Sequence, residues 1–250
     1  MNTNGNTILI TGGATGIGFA LAKAFAELGN EILICGRREN KLQQANSKLP
    51  QIHTRQCDLS REQERKSLFE WTNSNFKNIN ILINNAGIQQ MIDLKKGMED
   101  LFDREDEIEI NLRASINLSA YFIPSFMRCR EAAILNVSSG LGFIPLAIVP
   151  IYSATKAAIH SYTISLRHQL RHTPIKVFEI IPPIVDTELD RGARKKRGQQ
   201  DIGIQPEEVA KATIEGLKRD QYEVEIGMAQ RLKAGLRDNP EQAFQDINRW

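Results

Sequence analysis

Residues 7–18 read Thr-Ile-Leu-Ile-Thr-Gly-Gly-Ala-Thr-Gly-Ile-Gly. Thr7–Thr11 is a short β-branched run that stops at glycines, the pattern of a buried strand. From Gly16 the period changes. Ile17, Leu21, Ala24, Phe25 and Leu28 fall on one helical face, and Gly29 closes it. Gly12, Gly16 and Gly18 let the backbone turn tightly and approach a pyrophosphate, with Thr15 and Ile17 inside the same turn. The helix start adds unpaired N–H groups and a positive dipole end. The spacing departs from G-x-G-x-x-G, but a glycine turn between a strand and a helix implies dinucleotide binding.

The alternation continues outward. Strands are expected at Glu31–Cys35, Ile52–Cys57, Ile79–Asn84, Ala132–Ser138, Ile175–Ile181 and Tyr222–Ile226. Helices are expected at Glu39–Lys48, from an Asp58-Leu59-Ser60 start to Phe76 with Ser60 as N-cap, and at Arg104–Arg128. The Arg104–Arg128 helix would bury Ile108, Leu112, Ser119 and Phe122. Further helices run from Pro150 to Arg171 and from Pro206 to Arg219, followed by helical pieces broken at Asn239-Pro240. The pattern predicts one α/β domain over 1–250: a Rossmann-type, doubly wound, mostly parallel seven-stranded sheet with helices on both faces. Each stretch of interest follows a strand's carboxyl end, where such folds bind ligands.

The 250 residues carry 32 Lys and Arg against 30 Asp and Glu, a net charge of +2. That balance argues against disorder and against a strong positive field for nucleic acid. Cys35, Cys57 and Cys129 are widely spaced and read as reduced, packed thiols of a cytoplasmic protein. The four histidines form no zinc pattern, so no metal is expected. No signal peptide or membrane span is expected.

Tyr152 and Lys156 stand four residues apart at the start of a helix, on one face. A nearby cation favours the phenolate, so such a tyrosine can act as a general acid or base near neutral pH. With these residues in view, the chain resembles the short single-domain branch of the short-chain dehydrogenase/reductase family. Five motifs carry the resemblance in order: Thr11, Gly12, Gly16 and Gly18; Asn84–Gly87; Asn111; Ser139; and Tyr152 with Lys156. A weaker, subgroup-level similarity is to oxidoreductases linked to D-alanyl lipoteichoic acid operons. The resemblance implies hydride transfer between a nicotinamide and a carbonyl or secondary alcohol. It makes Tyr152 the proton donor or acceptor and Lys156 its tuner and the holder of the nicotinamide ribose. Ser139 would hydrogen-bond the substrate oxygen, and Asn111 would hold a water. Ser138 is the neighbouring alternative, and the family spacing selects Ser139. Asn85, Ala86, Gly87, Asp58, Leu59, Pro182, Val185 and Thr187 would contact the cofactor. The resemblance also implies a homodimer or homotetramer.

The family's usual Pro-Gly after the sixth strand is Pro182-Pro183 here, and the second proline fixes φ. At the end of the second strand, where NAD-specific members carry an acid, stands Gly36, followed by Arg37 and Arg38. Two guanidinium groups can pair with a 2′-phosphate, so NADP(H) is favoured over NAD(H). Leu141, Phe143, Ile144, Leu146, Ile148, Val149 and Ile151 crowd the stretch between Ser139 and Tyr152. They either line an apolar substrate pocket or pack against each other or a subunit. The basic run Arg191, Arg194, Lys195, Lys196 and Arg197, in a loop spanning 188–205, is a substrate lid, an anion-binding patch or a solvated loop. Phe244, Ile247 and Trp250 give the 228–250 extension an apolar face, for the site's edge or a neighbouring subunit. A catalytically silent NADP(H)-binding sensor of the same fold is the alternative reading. An epimerase or dehydratase of the family's longer branch fits less well, since the extra substrate domain is missing.

Overall fold

The computed structural model describes residues 1–101, 104–189 and 203–249. They form a seven-stranded sheet in the order β3-β2-β1-β4-β5-β6-β7, with each neighbouring pair parallel. The strands are β1 (Thr7–Thr11), β2 (Glu31–Gly36), β3 (His53–Gln56), β4 (Ile79–Asn84), β5 (Ala132–Val137), β6 (Ile175–Ile181) and β7 (Glu223–Glu225). The helices are α1 (Gly16–Glu27), α2 (Glu39–Lys48), α3 (Glu62–Asn75), α4 (Ala114–Phe126), α5 (Pro150–Gln169), α6 (Pro206–Lys218), α7 (Met228–Asp238) and α8 (Pro240–Ile247). The expected Rossmann-type sheet is therefore present, and wholly parallel rather than mostly so.

Period-two side-chain alternation sends each strand's apolar residues to both faces. Ile8, Ile10, Ile81, Ile83, Phe178 and Ile180 pack with Leu21 and Phe25 of α1 and Val209 and Leu217 of α6. Leu9, Leu33, Leu82, Ile134 and Val177 pack with Leu68 of α3, Leu118, Phe122 and Phe126 of α4, and Leu166 of α5. The strand order reverses between β1 and β4, which opens a crevice beyond their carboxyl ends. One register row carries polar side chains across the sheet: Asn84 opposite Asn136, Asn136 opposite Glu179, and Glu179 opposite Glu223.

Three expectations need correction. The third, fifth and seventh strands end one residue inside the expected bounds, although Cys57, Ser138 and Ile226 still donate their N–H groups to the carbonyls of Gly36, Ile180 and Ile181. Ser60 does not cap α3. It gives its N–H and hydroxyl to Asp58 Oδ1 (3.0 and 2.8 Å), and the Glu64 carboxylate accepts the Asp58 N–H at 2.5 Å. The long helix begins at 107 rather than Arg104, with Asp106 Oδ1 accepting the N–H groups of Ile108 and Glu109. It enters α4 through a π-helical turn, Glu109–Arg113. The extra residue in that turn rotates Ile108 off the buried face, so it is 50 % exposed while Phe122 is enclosed. Among the described residues no helix is long and apolar enough to cross a membrane, and no cluster of His, Cys, Asp and Glu could hold a metal.

Candidate active site

The glycine turn has a steric logic. Gly12 and Gly16 have φ of +63° and +54°, the left-handed region that side chains disfavour. A Cβ on Gly18 would lie 2.3 Å from the Gly12 carbonyl oxygen and 2.6 Å from Asn85 Nδ2, so α1 can start against this turn only with glycine there. Thr11 joins the turn to the end of β4. Its hydroxyl accepts the N–H groups of Asn85 (2.9 Å) and Ala86 (3.0 Å) and donates to the Ile83 carbonyl (3.3 Å). Asn85 Nδ2 donates back to the carbonyls of Thr11 (2.8 Å) and Gly12 (3.3 Å).

The result is a cleft of about 430 Å³ over the point where the strand order reverses. It brings together most of the residues singled out in the sequence. Gly12, Thr15, Gly16 and Ile17 come from the first turn, Arg37 and Arg38 from the second, and Asp58 and Leu59 from the third. Asn85, Ala86 and Gly87 follow β4, Tyr152 and Lys156 project from α5, and Pro182 and Thr187 follow β6. Gly18, Asn111, Ser139 and Val185 do not line the cleft. Val185 is buried and bridges to Ile204. The basic residues 191–197 and Trp250 lie outside the described residues.

At one end of the cleft the charges are paired across it. Arg37 meets Glu105 at 2.5 Å, and Arg38 and Lys41 meet Glu188 at 2.9 and 2.7 Å. Hydrogen bonds from Lys41 and Arg38 lower the Glu188 pKa. For Asp58, burial works to raise the pKa, but the Ser60 hydroxyl and N–H and the charges of Arg37 and Arg61 prevail and lower it.

At the other end Tyr152 and Lys156 are 6 % and 4 % exposed, with Lys156 Nζ 5.6 Å from the Tyr152 ring centroid. Lys156 Nζ donates to the Val137 carbonyl at 2.8 Å. Burial pushes its pKa down to about 8, against the opposing charge of Glu179. Asn111 is a brace: its Oδ1 accepts the Ile88 N–H (2.8 Å), and its Nδ2 donates to the Ile88 carbonyl (2.9 Å) and Thr155 Oγ1 (3.1 Å). A Cβ on Gly87 would sit 3.3 Å from Asn111 Oδ1 and 3.6 Å from Lys156 Nζ, so all three meet at one corner. The Ser139 hydroxyl accepts the Leu141 N–H (3.2 Å), whereas that of Ser138 donates to Glu179 at 2.5 Å.

The C-terminal extension packs beside the stretch that follows Ser139. Ala229 and Leu232 of α7 lie against Gly140, and beyond α8 Asn248 accepts the Ala147 N–H and donates to the Pro145 carbonyl. The tail thus holds the stretch between Ser139 and Tyr152. In that stretch Phe143, Ile144 and Val149 are packed inward, and Leu141, Leu146, Ile148 and Ile151 are half-buried. Sequence reading missed Glu105, Glu188, Thr155 and the Thr11 hydroxyl as parts of the site. Their partners lie too far along the chain for any local pattern to mark them.

A wholly parallel doubly wound sheet, this glycine turn and a Tyr–Lys pair facing it define an oxidoreductase, and the chain belongs to the short-chain dehydrogenase/reductase family. The family model described as short chain dehydrogenase matches residues 6–198. Among individual proteins it is 48 % identical over 248 residues to the uncharacterized oxidoreductase DltE of Bacillus subtilis (strain 168), covering 99 % of this chain and 98 % of that one. A short-chain dehydrogenase from Sphingobium yanoikuyae, solved in complex with NADPH, superposes with a TM-score of 0.79 at 26 % identity over 93 % of each chain. A family member from Burkholderia phymatum, solved in complex with NAD, superposes with a TM-score of 0.84 over 96 % of this chain and 98 % of that one. At 20 % identity that likeness concerns the fold.

Proposed function

We propose that the chain is an NADP(H)-dependent oxidoreductase that transfers a hydride between the nicotinamide and a carbonyl or secondary alcohol, with Tyr152 as general acid/base. The observation that carries this is the buried Tyr152–Lys156 pair on the wall of a cleft whose opposite end gathers Arg37, Arg38 and Lys41, paired there with Glu105 and Glu188. The residues present fit a dinucleotide. The glycine turn leaves no Cβ between backbone and ligand, and Arg37, Arg38 and Lys41 gather where a 2′-phosphate needs cations. When bound, the cofactor supplies or accepts the hydride.

Tyr152 gives its phenolic proton to the substrate oxygen in reduction and takes one in oxidation. The Lys156 ammonium stabilises the phenolate and binds the nicotinamide ribose. Ser139 holds the substrate oxygen; Ser138 is less suited, because its hydroxyl is committed to Glu179. Asn111 fixes the corner behind Gly87, and the role the family resemblance gives it is to hold a water that links Lys156 to solvent. Asp58, Leu59, Asn85, Ala86, Gly87, Pro182, Val185 and Thr187 complete the cofactor contacts. Arg37 and Arg38 exchange the Glu105 and Glu188 carboxylates for the 2′-phosphate. NADPH in the Sphingobium structure and NAD in the Burkholderia phymatum one support a nicotinamide cofactor, and the preference rests on Arg37 and Arg38.

The chain works as one domain over 1–250, in the cytoplasm, on an apolar small molecule. The exposed Met127, just beyond α4, and Ile164 of α5 support a homodimer or homotetramer through those helices. The test is NADPH oxidation over a panel of ketones, aldehydes and quinones, repeated with Tyr152→Phe. That variant should bind NADPH as the parent does and lose reduction. Retained reduction by Tyr152→Phe overturns the mechanism, and NADPH binding with no turnover of any compound favours a silent sensor.

A further inference from the structure

Behind the cleft lies a buried charge that the reaction above does not use. Glu179, in the middle of β6, is 0 % exposed. A carboxylate so placed is costly unless it is paired and hydrogen-bonded. The Ser138 hydroxyl donates to its Oε1 at 2.5 Å, and His160 Nδ1 lies 2.8 Å from its Oε2. Among the described residues its ion-pair partner is that histidine.

Two of the cluster's three elements, α5 and β5, also hold the Tyr–Lys pair. On α5, His160 stands four residues beyond Lys156, as Lys156 stands four beyond Tyr152, so the three form a stripe down one helical face. At the end of β5, Ser138 adjoins Val137, whose carbonyl accepts from Lys156 Nζ. A buried lysine favours the neutral amine, and the charge that opposes this is Glu179.

We propose that Glu179 is a positioning residue for the reaction: the buried counter-charge that keeps Lys156 an ammonium beside Tyr152, with His160 switching that charge off. This rests on Tyr152 acting as the general acid/base. When the imidazole takes a second proton, its charge cancels that of Glu179 as felt at Lys156. When neutral, it still holds the carboxylate through Nδ1–H. The charges that act on His160 are Glu179 on β6, Glu223 on β7 and Lys233 on α7; the uncharged Phe143 ring lies against it, and Lys156 stands one turn before it on α5. The Glu179 hydrogen bond raises the His160 pKa against burial; Glu223 adds to the rise and Lys233 opposes it.

Two measurements on the full chain test this. The first follows the histidine imidazoles by NMR titration, with His160→Gln identifying the His160 signals. Linkage is reciprocal, so Lys156→Met should raise the His160 midpoint, by roughly half a unit or more. An unmoved midpoint overturns the proposal, and this arm needs no turnover. The second is the pH profile of reduction. Glu179→Gln should move the alkaline limb to lower pH by about one unit, because Lys156 then loses its proton earlier. His160→Gln, which carries no charge to cancel that of Glu179, should leave that limb at the parent's pH or above it. Coincident limbs for Glu179→Gln and the parent overturn the proposal, and the NMR arm decides if that variant does not fold. If Tyr152→Phe retains reduction while the His160 midpoint moves as expected, the acid/base assignment falls and the charge coupling stands.

Discussion

Thr11 is the sharpest test of how the cleft is held together. Its side chain is buried, and its hydroxyl serves two N–H groups, those of Asn85 and Ala86, on the neighbouring strand end. Thr11→Val keeps the shape and removes the acceptor. Each half-buried N–H left without a partner costs about 1–1.5 kcal/mol, and the added methyl returns about 0.8 kcal/mol on burial. The expected net loss is about 1–2 kcal/mol. Thr11→Ser keeps the hydroxyl and loses one buried methyl, at a cost of about 1 kcal/mol. Stability alone therefore does not separate the two variants, but cofactor binding does. The Asn85–Gly87 wall should loosen in Thr11→Val and stay intact in Thr11→Ser. Urea unfolding at an unchanged m-value gives the stabilities, and NADPH fluorescence gives the Kd. A Thr11→Val variant that unfolds at the parent's midpoint, or binds NADPH as tightly as Thr11→Ser, refutes the reasoning.

Gly18→Ala places a methyl 2.3 Å from a backbone oxygen and should lower stability by about 2–3 kcal/mol, read by thermal melting; a parental Tm would contradict the steric argument. Arg37→Asp should shift preference from NADPH towards NADH, and Glu188→Gln should tighten NADPH with little change for NADH. Isothermal titration of both cofactors checks this, and unchanged Kd ratios would remove these residues from cofactor choice. Burial raises the Glu107 pKa from 4.5 to about 7, so the fold favours its protonated form. Stability is unaffected below the unfolded value, falls as pH rises towards 7, and stays lower above it. Glu107→Gln should therefore stabilise the chain by about 1–3 kcal/mol at pH ~8 and leave it unchanged at pH ~4. Equal urea midpoints at the higher pH would rule this out.

The fold was legible because its signals are local and periodic. The TILIT run, the glycines after it and the helix from Gly16 are contiguous in sequence, and they are contiguous in space. Tyr152 and Lys156 were legible because one helix carries both. Elsewhere the chain joins distant residues with no spacing rule. Arg37 finds Glu105, and Arg38 finds Glu188. Arg65 reads as one more charge on a polar helix, yet it is buried and donates to the Leu59 carbonyl (2.7 Å) and Glu109 (3.1 Å). Ile108 was misplaced because a uniform period cannot represent a π-turn. Ser60 was misplaced because a carboxylate two residues earlier competes for its hydrogen bonds.

The polar row from Asn84 through Asn136 to Glu179 has a consequence for how the sheet assembles. Buried parallel strands of Ile, Leu and Val are poor at specifying alignment. A slip of one residue swaps faces, but a slip of two restores the same inward and outward sets. Here a two-residue slip of β5 along β4 would set Asn136 opposite Leu82 in place of Asn84. The 2.9 Å bond between the two amides would be lost, and the one from Asn136 to Thr163 of α5 would be pulled out of line. Opposite Leu82 the Asn136 amide would find no cross-strand partner, and Asn84 would keep only its bonds to Ser115 and Ser119 of α4. The row thus works as a key cut across the sheet, rejecting the misalignments that oil-like packing tolerates. Correctly keyed, the central strands finish level, and their loops open onto a common rim.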